Sequence, residues 1–268
     1  MKKEVTDIVN FKVGTLKIEV HSSGEASGAA AAENVAEAFR KMSADNSALG
    51  VIFATGASQL TMLRALTFMH GIPWGRIRGF HLDEYVGLPV SHPASFRRYL
   101  REHLTHLVPM KAFHEIDGTA ADPRLACEEY ADKLHSSNPQ LCLLGVGENG
   151  HLAFNDPGEA DFEDPRDVKV VQLDPVCKRQ QLEEGWFKNL QEVPERAITL
   201  TIPTILRVPR LIVSVPGQRK AQIVRRMLED PISTACPATI LRTHPDATVY
   251  LDPESAAELN GMLLSKRN

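Results

Sequence analysis

Apolar and polar positions along this chain switch repeatedly between two periods. LKIEV at Leu16–Val20 alternates strictly, as a half-buried strand does. Residues 25–42 are Ala-rich and place Val35, Ala38, Phe39 and Met42 at helical spacing. The apolar run Leu49–Ala54 has strand length, and a helix is expected from about Gln59 to Met69. Ile77–Leu82 reads as a third strand, with helices over 95–107 and 123–135 and a buried strand at Leu141–Val146. Residues 158–166, GEADFEDPR, are acidic and rich in turn-formers, a surface excursion. A strand at 168–173 and a helix over 175–190 follow, so that 159–190 reads as a movable flap. Further strands fall at Ala197–Thr201 and Leu211–Val215, a helix at Gly217–Leu228, and a last strand at Thr248–Leu251 before a C-terminal helix from Pro253. Strands alternating with helices predict an α/β fold, a mostly parallel sheet with helices on both faces. No repeat or Gly/Ser-rich linker interrupts residues 1–268, which read as one domain.

The stretch 141–158, LCLLGVGENGHLAFNDPG, organises the rest. An apolar strand runs into Gly145, Gly147 and Gly150, which let the backbone turn tightly, and Glu148, Asn149, His151, Asn155 and Asp156 then arrive within nine positions. Open α/β sheets place ligands at such strand ends. Histidine can give and take a proton near neutral pH, and a carboxylate five residues on can orient it. The plainer reading, a turn or packing histidine, is disfavoured by the crowd of amides and acid around it.

Three other strand ends carry candidate chemistry. Thr55-Gly56-Ala57-Ser58 lies between a strand and a helix, where backbone N–H groups and the helix dipole favour an anion. By itself this turn is better read as an ordinary N-cap by Ser58. Asp83-Glu84-Tyr85 closes the third strand, and a strand-end carboxylate is either a general base or a turn cap. Lys220 opens a helix in PGQRKA, and its residue type alone fits a solvated surface position.

Composition narrows the class. With 268 residues and 43% hydrophobic content there is material for a sizeable core. The net charge of −4 is spread along the chain, with no basic block for nucleic acid. Cys127, Cys142, Cys177 and Cys236 are scattered without a CxxC pair or metal-ligand spacing, as in the reduced thiols of a cytoplasmic protein. MKKEVTDIVNFKVG has no apolar core after its lysines, so it does not read as a signal peptide, and no apolar run approaches membrane-spanning length.

GVGENGHLAFNDPG, FATGASQ, FHLDEYVGLPVSHPASF and VPGQRKA together resemble the signatures of the glucosamine-6-phosphate deaminase (isomerase) family, in its order and at its approximate spacing. The likeness runs from about Leu16 to about Leu264. It implies a Rossmann-like three-layer α/β/α sandwich and conversion of an amino-sugar 6-phosphate to a ketose phosphate and ammonia by acid–base catalysis, with neither metal nor cofactor. It assigns ring opening to His151 and proton transfer between C2 and C1 to Asp83, with Glu84 structural. It gives the phosphate to Thr55, Gly56, Ala57, Ser58 and Lys220, and to a flap arginine whose register here falls on Lys178 or Arg179, with Arg179 preferred. It allows a homo-oligomer. Two residues that orient the histidine depart from the pattern: Asn149 stands where an acid or Asn occurs, and Asp156 where Glu is typical, one methylene shorter. The alternatives are 6-phosphogluconolactonase, which shares the fold but has a GHTASLFP-like loop and lacks the DEYVGLP stretch, and a non-catalytic sugar-phosphate-binding regulator.

Overall fold

Alternation along the buried strands decides which helix covers which face. In the computed structural model, which describes residues 9–42, 48–183 and 185–259, eleven strands appear. They are β1 (Val9–Val13), β2 (Leu16–Val20), β3 (Leu49–Phe53), β4 (Ile77–His81), β5 (Asp83–Tyr85), β6 (Ala112–Phe113), β7 (Leu141–Leu144), β8 (Val168–Gln172), β9 (Arg196–Leu200), β10 (Arg210–Ser214) and β11 (Ala247–Leu251). Eight of them form one sheet in the order β1-β2-β11-β10-β7-β3-β4-β6, parallel except for the β1–β2 hairpin. The α-helices are α1 (Gly24–Met42), α2 (Ala57–Phe68), α3 (Phe96–Leu100), α4 (Pro123–Ser137), α5 (Pro175–Glu183), α6 (Ile202–Leu206) and α7 (Ala221–Glu229).

Val51, Phe53, Leu141, Leu143 and Ile212 project to one face, where Val35 and Phe39 of α1 and Met62 and Leu66 of α2 cover them. Their neighbours Ile52, Cys142, Leu144, Leu211 and Val213 project to the other, against Tyr130 and Leu134 of α4, Ile205 of α6 and Val224 and Met227 of α7. A strand buried on both faces reads as a continuous apolar run, which is how these strands appear in the sequence. The result is the expected three-layer α/β/α sandwich. Among the described residues no helix is long and apolar enough to cross a membrane.

Several expectations need correction. The segments 168–173 and 197–201 do not join the main sheet: β5, β9 and β8 form a separate antiparallel sheet. The apolar strand expected to run to Leu82 stops at His81, and the chain crosses at Leu82 to pair Asp83 with Thr199. A hydropathy run cannot show that crossing, because both sheets bury the same residue types. The helix over 95–107 is α3 followed by a wider π-helical turn, Arg101–Thr105. The helix over 175–190 stops at Glu183. Residues 253–258 make turns, and the remainder of the expected C-terminal helix lies outside the described residues.

Chain direction locates the site. From β3 the chain proceeds to β4 and β6 on one side; from β7 it proceeds to β10 and β11 on the other. β3 and β7 are therefore the switch point, where the two following loops part and leave a crevice at the strands' carboxyl ends.

Candidate active site

A cleft of about 450 Å³ opens there, within the roughly 300–1,000 Å³ span of small-ligand sites. Its wall includes Thr55–Ser58, Asp83, Gly145–Glu148, His151, Gln180, Gln181, Trp186, Gly217–Lys220 and Asp252. Residues from both sheets and from α5 thus meet in one space.

Two glycine turns form one end. Gly56 (φ 96°) precedes α2 and Gly217 (φ 94°) precedes the 3₁₀ turn Gln218–Lys220 that leads into α7. Both dihedrals lie where side chains are disfavoured. The N-cap of α2 is Gly56, with no side-chain cap, so the plain N-cap reading of Ser58 does not hold. The Ser58 hydroxyl accepts from Gln59 Nε2 instead, at 3.0 Å. The Gly217 turn is pinned by Asp252, which accepts from Gly217 N–H at 3.0 and 3.1 Å. Backbone N–H groups of a helix start, the dipole behind them and a nearby lysine, Lys220, are groups that can favour an anion at this end.

Asp83 sits where the chain leaves the main sheet for the small one, and it is 7% exposed. Burial, with the neighbouring Glu84 charge adding to it, holds its carboxyl well above the usual carboxylate range. Glu84 is fully buried and faces away into structure. Its carboxylate accepts from the N–H groups of Tyr85, Phe96 and Arg97, from Ser95 Oγ and from Arg97 Nε, which fixes the start of α3. His81, two residues before Asp83, belongs to the core. It accepts from Ile116 N–H at 2.7 Å, and burial lowers its pKa to about 3, so it stays neutral.

The central loop folds back on itself. Gly147 N–H donates to His151 O, and a Cβ on Gly147 would lie 2.2 Å from the His151 ring, so only glycine fits there. Asn155 Nδ2 donates to Leu152 O and to Leu200 O, both at 2.8 Å, tying the loop to β9 and hence to the strand beside Asp83. Ala153 takes φ 53°, a left-handed turn that returns the chain toward the imidazole. That return supplies the reach that a short acid needs: Asp156 Oδ1 lies 2.9 Å from His151 Nδ1, at an angle to the ring N–H rather than along it. Asn149 Nδ2 donates to the same oxygen at 2.8 Å, and Asn149 Oδ1 accepts from His151 N–H at 3.0 Å. Burial raises the Asp156 carboxyl, but His151 and Asn149 outweigh it and hold the group below its ordinary value, hence ionised. Asp83, His151, Lys220 and the 55–58 turn all line the cleft; Asn149 and Asp156 lie behind the imidazole.

The flap supplies different residues from those expected. Arg179 is exposed on α5 and is not part of the cleft wall, and Lys178 pairs with Glu195 at 2.6 Å. The buried face of α5 offers Gln180 and Gln181, the latter accepting from Tyr85 OH at 2.8 Å. An arginine that does line the cleft, beside Lys220, is Arg219, whose guanidinium bridges Glu148 of the central loop and Glu183 of α5, each at 2.8 Å. Its place beside Lys220 was visible in PGQRKA, but nothing local marked it as facing inward. Asp252 was likewise legible only as a strand-end acid.

The geometry can be set beside known proteins. The model of the family described as glucosamine-6-phosphate isomerases/6-phosphogluconolactonase matches residues 22–250. The chain belongs to that family. A glucosamine-6-phosphate deaminase of Exiguobacterium sibiricum is 38% identical over 180 residues, 67% of this chain and 69% of its own. One of Pseudarthrobacter chlorophenolicus is 34% identical over 237 residues, 87% of this chain and 88% of its own. Among solved structures, a monomeric glucosamine-6-phosphate deaminase superposes with a TM-score of 0.82 at 28% identity, covering 90% of this chain and 99% of that one. A 6-phosphogluconolactonase from Trypanosoma brucei reaches 0.76 at 23% identity and shares the fold. As a glucosamine-6-phosphate isomerase/6-phosphogluconolactonase family member, this chain brings Asp83, His151, Lys220 and the 55–58 turn into one cleft.

Proposed function

We propose that this protein converts glucosamine 6-phosphate and water to fructose 6-phosphate and ammonia. The observation that carries the reading is the meeting of a buried Asp83, its carboxyl raised above the usual range, with the Asp156-backed His151 in a cleft that ends in two glycine turns and Lys220. Similarity to deaminases over most of the chain supports the same reaction.

The phosphate is held by N–H groups of Thr55–Ser58 and by Lys220, which fixes the sugar's other end in the cleft. His151 donates a proton to the ring oxygen, and the open-chain aldose acquires an acidic C2–H. Asp83 takes that proton and returns it to C1, leaving a ketimine at C2. Water adds to the ketimine and ammonia leaves. Acid–base groups held in place suffice for each of these steps. An elevated Asp83 pKa suits the role, since a base works best when its pKa approaches the operating pH. Asn149 and Asp156 position the imidazole. Arg179, outside the cleft wall, would reach a phosphate only if α5 re-seats, whereas Arg219 is already at hand.

The cleft wall is drawn from segments spread along this chain. We read residues 1–268 as a single catalytic domain, with the flap at 159–190 forming one wall, and turnover as needing no partner subunit. The test is ammonia release from glucosamine 6-phosphate and galactosamine 6-phosphate, beside hydrolysis of 6-phosphogluconolactone. Ammonia with ketose phosphate supports the proposal. Lactone hydrolysis alone, or stabilisation by these ligands without turnover, replaces it.

A further inference from the structure

Cys177 is one of four buried cysteines that form no disulfide, and the acid–base chemistry does not use it. It sits on the inner face of α5, 1% exposed, in the apolar cluster with Tyr85 and Phe154. Tertiary folding brings its Sγ to a ring nitrogen of His151 and a carboxylate oxygen of Asp156, all three within 4.8 Å of one another. No other such group occurs among the described residues. Asp156 Oδ1 accepts from Asn149 and lies 2.9 Å from His151 Nδ1, and the Asp174 N–H also reaches this carboxylate, so the acid is held ionised as a donor beside the imidazole and the thiol.

We infer that His151, Asp156 and Cys177 form a site for a thiophilic divalent cation of the zinc type, and that the cation silences the enzyme by occupying its histidine. Imidazole, thiolate and carboxylate are a zinc donor set and suit Mg²⁺ or Ca²⁺ poorly. Tetrahedral zinc bonds of about 2.0–2.3 Å hold ligand atoms roughly 3.4–3.8 Å apart, so the three groups need contract by only about 1 Å. Charge favours the complex: one thiolate and one carboxylate neutralise a divalent ion, so no net charge is buried. Binding releases the thiol proton. His151 lines the cleft, so a cation held on its ring alters the side chain that faces the substrate. The inhibition rests on the catalytic reading given above; the site itself does not.

The experiment uses the full, metal-stripped protein titrated with Co²⁺ and then Zn²⁺. One Co²⁺ per chain with a thiolate-to-cobalt charge-transfer band, displaced by Zn²⁺, is expected. Ammonia release should fall in step with Zn²⁺ occupancy and return with EDTA. Cys177→Ala should keep its metal-free turnover, lose the charge-transfer band and need roughly tenfold or more Zn²⁺ for half-inhibition, the order of effect seen when a metal's surroundings are disrupted. Should that variant fold poorly, Zn²⁺ protection of Cys177 from alkylation in the native chain, read on its own peptide, replaces it. No thiolate band, or equal Zn²⁺ sensitivity in Cys177→Ala, overturns the site. A chain that shows the band but releases no ammonia upholds the site and overturns only the catalytic reading.

Discussion

Asp83 and Asp156 are both buried acids, yet their surroundings push them in opposite directions. Asp83 has desolvation and a neighbouring carboxylate, which raise its pKa; Asp156 has an imidazole and an amide, which lower its pKa despite burial. Asp83→Asn should reduce turnover by about 10²–10⁴-fold, the usual share of a general base, while binding of a sugar phosphate changes little. The same change should stabilise the fold. A carboxyl whose folded pKa lies above its unfolded value of about 3.9 favours folding below that value and loses this advantage as pH rises toward the folded pKa. The variant's melting-temperature gain should therefore be near zero at pH 3–4 and grow toward neutral pH, at about 2–4 °C per kcal/mol for a chain of this size. Thermal melts across pH would reveal it, and a pH-independent difference would contradict the buried-acid argument. At Asp156 the sequence alone makes Glu look like an improvement. With Asp156 already within 2.9 Å of the imidazole and wholly enclosed, an added methylene must displace its neighbours. Asp156→Glu should lower kcat and leave KM within a few-fold. A rise in kcat would mean that the short acid is a handicap after all.

At the scale of elements, the cleft is set by two helix starts and by α5. Lys220 stands at the start of α7, and a charge-assisted phosphate contact is worth about 1.5–3 kcal/mol. Lys220→Ala should therefore raise KM by roughly 10–100-fold with a smaller effect on kcat. Steady-state kinetics and phosphate-ligand titration together check this, and an unchanged KM would move Lys220 to the surface. Arg219 joins α7 to the central loop and to α5, and it is half exposed, so solvent weakens each pair. Glu183→Gln removes only the tie to α5 and should change KM by less than about fivefold, because single exposed pairs contribute about 0–1 kcal/mol. Arg219→Ala removes one of the cleft's cations as well as both ties. It should cost more in KM, and it should speed protease cleavage between 184 and 195. If the two variants behave alike, Arg219 serves α5 alone. The helix starts were legible as GAS and PGQRK because glycine and strand-end position mark them locally. Which face of α5 turns inward was not legible: PVCKRQQLEEGWF carries polar residues on every side, and burial of Cys177, Gln180 and Gln181 is decided by what they pack on.

For the whole molecule, the cleft draws on segments from residue 54 to residue 252, so its integrity depends on the main sheet and the small sheet together. Read as one domain, the protein should unfold in a single calorimetric transition, shifted upward by inorganic phosphate through ordinary binding linkage. If one subunit turns over by itself, specific activity should not vary with protein concentration; dependence on dilution would show that a partner subunit is needed. The sequence by itself determined the α/β class and marked His151 at a glycine-rich strand end, because strand period, glycine turns and residue type are local properties; Asp83, Lys220 and the 55–58 turn were singled out by the family resemblance, since their residue types alone also fit a turn cap, a surface lysine and an ordinary N-cap. Only the tertiary structure decided the rest. It took Asp83, β8 and β9 out of the main sheet, turned Arg179 outward and Arg219 inward, used Ala153 and Asn155 to bring a short acid to the histidine, and set Cys177 beside both. These outcomes depend on contacts between positions far apart in the chain, and hydropathy and spacing carry no record of which buried surfaces meet.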